Sequence, residues 1–141
     1  MRGYDPRMEK TMIAISSGTP ENLVVAVAHG KVTGEDYEKG LIPAIEDKLK
    51  AHKKIRLLYQ LDRDFSGFTA EAMWDDAKLG LGHLTAFEVV AVVTDVHWIT
   101  DAVKFLGVFL RCPVKVFSND QLDEARDWVA NTAAWRSVAE T

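Results

Sequence analysis

Apolar residues recur along the chain at two different spacings, and these spacings predict an ordered series of strands and helices. Five short segments have the apolar or alternating pattern of strands: residues 11–16, 22–29, 55–61, 88–94 and 114–117. The second and fourth of these are apolar almost without a break, which is typical of strands covered on both faces. Four longer segments have apolar residues three and four positions apart, the spacing of helices packed on one side.

The first helix is predicted to begin at a capping box and to be interrupted in its middle. Thr33 and Asp36 have the spacing at which a hydroxyl and an acidic side chain satisfy the free amides of a helix N-terminus. Gly40 and Pro43 then interrupt the apolar pattern. A proline in a helix interior costs about 3 kcal/mol, so we expect a kink, or a break and restart, near residues 40–43.

Between the third strand and the second helix the chain becomes polar. Residues 61–68 read LDRDFSGF and are predicted to form a loop, after which Thr69 is the expected N-cap of the second helix. The inward stripe of that helix is expected to consist of Met73, Ala77, Leu81 and Leu84. The third helix is expected to start near residues 94–95.

The order of predicted elements is β-β-α-β-α-β-α-β-α. The close spacing of the first two strands indicates an antiparallel hairpin. Strands that alternate with helices are typical of a parallel sheet covered by helices. A second capping box, formed by Ser118 and Gln121, precedes the last helix. We predict a single α/β domain over residues 1–141, with a mixed, mostly parallel five-stranded sheet, four main helices and a loose tail at residues 1–10.

Composition narrows the classes of function. The 141 residues, 48% of them hydrophobic and 27% charged, can form one core without a metal or disulfide. The net charge of −4 argues against a nucleic-acid partner, because phosphate contacts require a concentrated basic surface. No apolar run approaches the roughly 20 residues of a membrane span. A single cysteine, Cys112, and an N-terminal segment without a signal-peptide pattern favour the cytoplasm.

Four segments resemble the SpoIIAA-like family, which is related to STAS domains (sulfate transporter and anti-sigma factor antagonist). They are GKVTGEDYEKGLIPAIEDKLKAHKKIRLLYQLD, FSGFTAEAMWDDAKLGLGHL, FEVVAVVTDVHWI and VKVFSNDQLDEARDWV, and the resemblance covers roughly residues 11–130. It implies a β-α superhelix like that of STAS and CRAL-TRIO lipid-binding domains. The small stand-alone members that the chain resembles have no established enzymatic activity. We therefore expect no enzymatic activity and no cofactor.

The same resemblance draws attention to two hydroxyl groups. Anti-sigma factor antagonists carry an Asp-Ser-Ser-Gly type sequence where the third strand leads into the second helix, and phosphorylation of its serine switches partner binding. Here residues 64–69 read DFSGFT, so the double serine is absent and only Ser66 and Thr69 offer hydroxyls. Free amides at a helix N-terminus favour a phosphate. Turn formation by Ser66 and capping by Thr69 are the simpler interpretation. Both residues remain candidate phosphosites of a protein-interaction switch.

Acidic residues near the second helix suggest a metal site, but their spacing argues against one. Asp75 and Asp76 are adjacent on a helix and so point about 100° apart, which makes them poor shared ligands. Asp62 and Asp64 are expected to form turns. The histidines have no HExxH spacing. We expect no metal site.

An enzymatic alternative has one candidate constellation. It would require Asp75, His83 and His97 to converge in one cleft around a small substrate. The chain has no GxSxG nucleophile motif, and the glycines at 80 and 82 lie late in a helix, where a dinucleotide-binding loop does not occur.

The third helix carries more apolar surface than one buried stripe requires. A pocket, a subunit interface and membrane contact are three explanations, and a wide but ordinary core helix is a fourth. Lysine and arginine do not follow its polar face, so we favour a pocket or a homodimer interface over a membrane. The leading hypothesis is a non-catalytic binding or regulatory module with a small apolar or lipid-like ligand between the second and third helices. Trp74, Trp98 and Phe105 would be its walls, and His83 and His97 its polar handles.

Overall fold

A five-stranded sheet forms the centre of the molecule. The computed structural model describes residues 12–83, 85–108 and 110–133. The strands are β1 (Ile13–Ser17), β2 (Leu23–Val32), β3 (Ile55–Phe68), β4 (Phe87–Val93) and β5 (Val114–Phe117). They lie side by side in chain order. β1 pairs antiparallel with β2, and every later pairing is parallel. The predicted hairpin and the mixed, mostly parallel sheet are confirmed.

Four helical regions connect and cover the strands. The first, α1 (residues 34–49), consists of an α-turn (Gly34–Asp36), a π-helical segment (Tyr37–Leu41) and an α-helix (Ile42–Leu49). The others are α2 (Ala70–Gly82), α3 (His97–Gly107) and α4 (Leu122–Asn131), the last preceded by a 3-10 turn (Asn119–Gln121). The predicted order of elements is therefore confirmed. The expected tail at residues 1–10 lies outside the described residues.

The sheet separates two apolar layers of unequal size. Successive side chains of a strand point to opposite faces. Leu57, Tyr59 and Leu61 of β3 accordingly pack in the larger cluster, together with side chains of α1, α2 and α3. Leu58 packs in the smaller cluster with side chains of α4 such as Val129. Helices α1–α3 thus cover one face of the sheet and α4 covers the other.

The capping box of α1 forms as predicted, and the interruption predicted near residues 40–43 takes the form of a change of helix type, from π to α, without a break in the helix. The Asp36 amide donates to the Thr33 hydroxyl, and the Thr33 amide donates to the Asp36 carboxylate at 2.7 Å. The chain stays helical through Gly40 and Pro43, because a π-helical segment changes the hydrogen-bond register just before the proline. Pro43 then lies in the first turn of the following α-helix, where a missing amide hydrogen is tolerated.

The predicted loop at residues 61–68 is wrong, because β3 continues to Phe68. The end of β2 supplies its partner: Gly30, Lys31 and Val32 pair with residues 65, 67 and 68, with shifts of register between them. Gly30 (φ 54°) and Gly67 (φ 144°) adopt backbone conformations that favour glycine. This far end of the strand pair bears polar side chains, so its composition resembles that of a loop although its backbone is paired.

The predicted start signals of the later helices are present, and the inward side of α2 includes two residues outside the predicted stripe. Of that stripe, Leu84 lies outside the described residues. The Ala72 amide donates to the Thr69 hydroxyl at 3.1 Å, which makes Thr69 the N-cap of α2. The capping box of Ser118 and Gln121 also forms. Ala72 and Leu79 are buried, whereas Met73 is half exposed. No helix in the described ranges combines the length and the apolarity needed to cross a bilayer.

Candidate functional site

A cavity of about 400 Å³ lies between the sheet and helices α2 and α3. This volume falls within the range of small-molecule binding sites. Strands β3, β4 and β5 form its floor, and α2 and α3 form its sides. The lining is mostly aliphatic and includes Leu57, Leu61, Val90, Val92, Ile99 and Val103.

Aromatic and half-exposed side chains mark one end of the cavity. Phe68, the last residue of β3, and Trp98, in the first turn of α3, both line it, and their rings meet edge to face with centroids 6.5 Å apart. Trp98 and Met73 also line it while 51% and 50% exposed. A side chain that contacts both the cavity and the solvent lies at an opening, so the cavity opens to solvent between α2 and α3.

The polar end of the cavity consists of one carboxyl group and two phenols. Asp76 of α2 and Tyr59 of β3 line the cavity, and Tyr37 of α1 lies behind them. The Tyr37 hydroxyl donates to Asp76 Oδ1 at 3.2 Å, and the hydroxyl oxygens of Tyr37 and Tyr59 lie 2.7 Å apart. Three elements therefore position one hydrogen-bonded network beside an apolar space.

Burial controls the ionisation of this network. Burial raises the pKa of Asp76 to about 6, although the hydrogen bond from Tyr37 acts in the opposite direction. Burial, with the nearby charge of Asp76, also raises the pKa of Tyr37 and of Tyr59 well above the usual range. Both phenols are consequently neutral at physiological pH. Asp76 carries a negative charge at pH values above about 6 and is neutral below that.

Among the aromatic residues predicted to form the pocket walls, Trp98 lines the cavity and two do not. Trp74 is 64% exposed on the outer side of α2, where the Lys78 ammonium lies 5.8 Å from the centre of its ring. It points outward because Ala72, Asp76 and Leu79 occupy the inner side of that helix. The prediction that Trp74 forms a wall is therefore wrong.

Phe105 does not line the cavity either and is 67% exposed. α3 contacts the cavity through Ile99, Ala102 and Val103, which lie on a different side of the helix. The surplus apolar surface of α3 is thus divided between a cavity-facing stripe and an exposed one. The homodimer through α3 stays a prediction.

The two histidines predicted as polar handles lie outside the cavity lining. His83 Nδ1 lies 3.0 Å from the carbonyl oxygen of Leu79, at the C-terminal end of α2. His97 is exposed at the start of α3. The polar groups that line the cavity include the carboxyl group of Asp76, which the sequence suggests only as a metal ligand, and the phenol of Tyr59.

The constellation of Asp75, His83 and His97 does not assemble within the described part of the chain. Asp75 is buried, and its Oδ1 lies 3.3 Å from the Lys78 ammonium. His83 is hydrogen-bonded to the backbone of its own helix, and His97 is exposed. No hydrogen bond between described residues joins the three side chains, so the geometry required for shared chemistry is missing.

The polar segment before α2 holds a different contact. His29 Nδ1 lies 2.9 Å from Asp64 Oδ1 and 3.7 Å from Asp62 Oδ2. One ligand atom from each residue falls in a group within 4.8 Å. The three side chains meet because β2 and β3 remain paired beyond the body of the sheet. A hydrogen bond between the His29 ring and the Asp64 carboxylate accounts for the shortest contact in this partly exposed cluster.

The two candidate phosphosites occupy different environments. Ser66 is an exposed residue of β3, and it lies in a strand where a loop was expected. The Thr69 hydroxyl accepts the hydrogen bond that caps α2. The interaction switch at these residues stays a prediction.

The comparisons with known proteins identify the family. A family model described as SpoIIAA-like matches residues 23–130, most of the chain. This protein belongs to the SpoIIAA-like family. Its fold is also similar to the crystal structure of an uncharacterized protein of the DUF3478 family, with a SpoIIAA-like fold, from Shewanella loihica PV-4. The two are 29% identical, the match covers 83% of this chain and 91% of that one, and the TM-score is 0.64. No curated protein matches the chain.

Sequence reasoning missed the polar end of the cavity in this SpoIIAA-like protein, although a signal for it exists. Ala72, Asp76 and Leu79 are spaced i, i+4 and i+7, which places an acid within an apolar helical stripe. Tyr59 lies on the same strand face as Leu57 and Leu61, so its hydroxyl had to end in the core. An acid on an inward stripe opposite an inward tyrosine is the pattern that indicates such a buried network.

Proposed function

We propose that this SpoIIAA-like protein is a non-catalytic binding module that holds a small, mainly apolar molecule between the sheet and helices α2 and α3. The observation that carries the proposal is the cavity of about 400 Å³ with its aliphatic and aromatic lining. Protein interiors are packed as densely as organic crystals and contain few voids larger than a water molecule. A space of this size therefore has the character of a binding site.

The chemistry of the lining supports binding without catalysis. The described lining residues include one carboxyl group and one phenol, and they include no serine, cysteine, histidine or lysine. A nucleophile activated by an adjacent base, as in covalent catalysis, is not among them. Burial of the ligand's apolar surface would supply most of the affinity, at about 25 cal/mol for each Å² removed from water.

A neutral fluorescent probe tests this proposal. N-phenylnaphthylamine has low fluorescence in water and high fluorescence in an apolar site, so titration into the wild-type protein should give a saturable increase. Ala102→Phe and Ala77→Phe each place a ring in the cavity from a different helix. Each should weaken probe binding about tenfold, because the ring occupies the space that the probe needs.

Ala70→Phe is the matched control, since it adds the same ring at an exposed position of α2. It should leave the affinity for the probe unchanged. The proposal would be overturned if the wild-type protein produced no saturable signal, or if all three variants bound the probe equally well. Circular dichroism of each variant establishes that it is folded before titration.

A further inference from the structure

The polar end of the cavity offers hydrogen-bond acceptors to a ligand, because its two hydroxyl donors, those of Tyr37 and Tyr59, are engaged within the network. An ionised carboxylate can only accept, so the Tyr37 hydroxyl donates its hydrogen to Asp76 Oδ1. Tyr37 therefore has no hydrogen left for Tyr59, and across the 2.7 Å contact Tyr59 must donate to Tyr37. Tyr59 and Asp76 both line the cavity, and they keep acceptor capacity: a lone pair of the Tyr59 hydroxyl and the second carboxylate oxygen of Asp76. A ligand that complements them must itself donate hydrogen bonds.

The charge of Asp76 is also uncompensated within the described part of the chain. No lysine, arginine or histidine in residues 12–83, 85–108 and 110–133 forms an ion pair with it. Its Oδ2 has no hydrogen-bond partner among those residues. Its neighbour Asp75 has a cation, since the Lys78 ammonium lies 3.3 Å from Asp75 Oδ1, although Asp75 Oδ2 is buried without a hydrogen-bond partner among the described residues. An unpaired carboxylate beside apolar groups is unfavourable, and a cation brought by a ligand would relieve that cost.

We propose that the molecule held in this cavity is an amphiphile with a protonated amine head and an apolar body, and that its ammonium group lies against Asp76 and Tyr59. This inference rests on the proposed function, because it specifies the ligand class of the same cavity. An ammonium group offers three donors and a positive charge, and so matches both acceptors and the unpaired carboxylate. The apolar body would then extend along β3 and β4 toward the opening at Trp98 and Met73.

The same geometry ranks the other possible head groups. An alcohol can donate one hydrogen bond to Asp76 but brings no charge, so it should bind more weakly than an amine. A fatty acid places its carboxylate against that of Asp76, and like charges in a partly buried site repel each other. The cavity therefore discriminates among molecules with the same apolar chain by the charge of the head.

Isothermal titration calorimetry with decylamine, decanol and decanoic acid at neutral pH tests this ranking, because the three molecules share one chain length. Each is used below the concentration at which it self-associates. Decylamine should bind at least about tenfold more tightly than decanol, and decanoic acid should bind most weakly. Asp76→Asn should reduce the affinity for decylamine about tenfold. It should reduce the affinity for decanol by less, because the asparagine oxygen still accepts the alcohol's hydrogen bond and no ion pair is lost.

Asp101→Asn is the matched control, because it neutralises an exposed aspartate on α3, outside the cavity. It should leave decylamine binding unchanged. Equal affinity of the wild type for decylamine and decanol, or an amine preference that survives in Asp76→Asn, would overturn the inference and leave the cavity proposal standing. Failure of decanol and of the neutral probe to bind would instead overturn the proposed function itself. The wild-type ranking tests the inference even if Asp76→Asn does not fold.

Discussion

Asp76 links the ligand chemistry of the cavity to the stability of the fold. Its pKa is about 6 in the folded protein, compared with an ordinary value of 3.8, because burial disfavours the charged form. Between these two pH values the folded state binds more protons than the unfolded state. Stability therefore falls as pH rises through this window. The groups that face Asp76, Tyr37 from α1 and Tyr59 from β3, have raised pKa values and do not titrate there.

We expect Asp76→Asn to stabilise the unliganded protein at neutral pH, because the asparagine oxygen still accepts the Tyr37 hydrogen bond without carrying a charge. The gain should be at most about 3 kcal/mol, the free energy that corresponds to the raised pKa. It should shrink as pH falls from about 6 toward 4, where the wild-type carboxyl group becomes protonated. Urea unfolding of both proteins across this range measures the difference. A difference in unfolding free energy that stays constant with pH would contradict this view of Asp76.

At the scale of elements, α1 contains two glycines with opposite surroundings. A Cβ atom added at Gly40 would meet nothing within 4 Å, whereas one added at Gly34 would lie 2.9 Å from Glu71 Cβ and 3.1 Å from Asp75 Oδ2. Gly34 is therefore a place where α1 and α2 approach closely. Gly40 lies in the π-helical segment. The backbone flexibility of this glycine increases the conformational entropy of the unfolded chain, which disfavours folding.

The same substitution in this one helix should consequently change stability in opposite directions. We expect Gly40→Ala to stabilise the protein by about 0.5–1 kcal/mol, because alanine reduces the entropy lost on folding. Gly34→Ala should destabilise it by about 1–3 kcal/mol, because α2 must move to make room. Thermal unfolding followed by circular dichroism distinguishes the two variants. Stabilisation by both substitutions would contradict the close contact at Gly34, and destabilisation by both would contradict the open surroundings of Gly40.

The elements themselves were largely predictable, because each depended on a local signal. The spacing of Thr33 and Asp36 and that of Ser118 and Gln121 placed two helix starts correctly. The end of β3 was not predictable, because its pairing with β2 from Gly30 onward is a long-range contact and its exposed side chains are polar. Local composition contains no information about a backbone partner that is distant in sequence.

The candidate site was less predictable than the fold, because it depends on which side of each helix meets the sheet. The side of α2 that meets the sheet carries Ala72 and Leu79, which are buried. Asp76 lies on that side and Trp74 on the outer side. Hydrophobicity alone would place Trp74, and not Asp76, on the side of the helix that faces the sheet. The cavity between the second and third helices was expected, but of its five predicted residues only Trp98 lines it.

At the scale of the whole molecule, the two faces of the sheet have different roles. On the α4 face, Gln60 donates to Asn119 Oδ1 at 2.8 Å, and Asn119 donates in turn to the carbonyl oxygen of Leu61 and to Asp95. The backbone amide of Asn119, and then its side chain, donate to Asp95 and lower the pKa of that carboxyl group. Together these hydrogen bonds join β3 to the turn before α4. That face is closed by polar contacts and apolar packing. The opposite face contains the cavity, so the proposed ligand site lies on the side covered by α1–α3.

An NMR titration of the amide groups with decanol tests most directly whether the cavity is the binding site. The account predicts shifts that saturate and that are confined to the cavity lining, such as Val92 of β4 and Trp98 of α3. The amides of Ala125 and Val129 of α4, which are buried on the opposite face, should not shift. Saturable shifts centred on α4, or no saturable shifts in the assigned protein, would contradict the central claim.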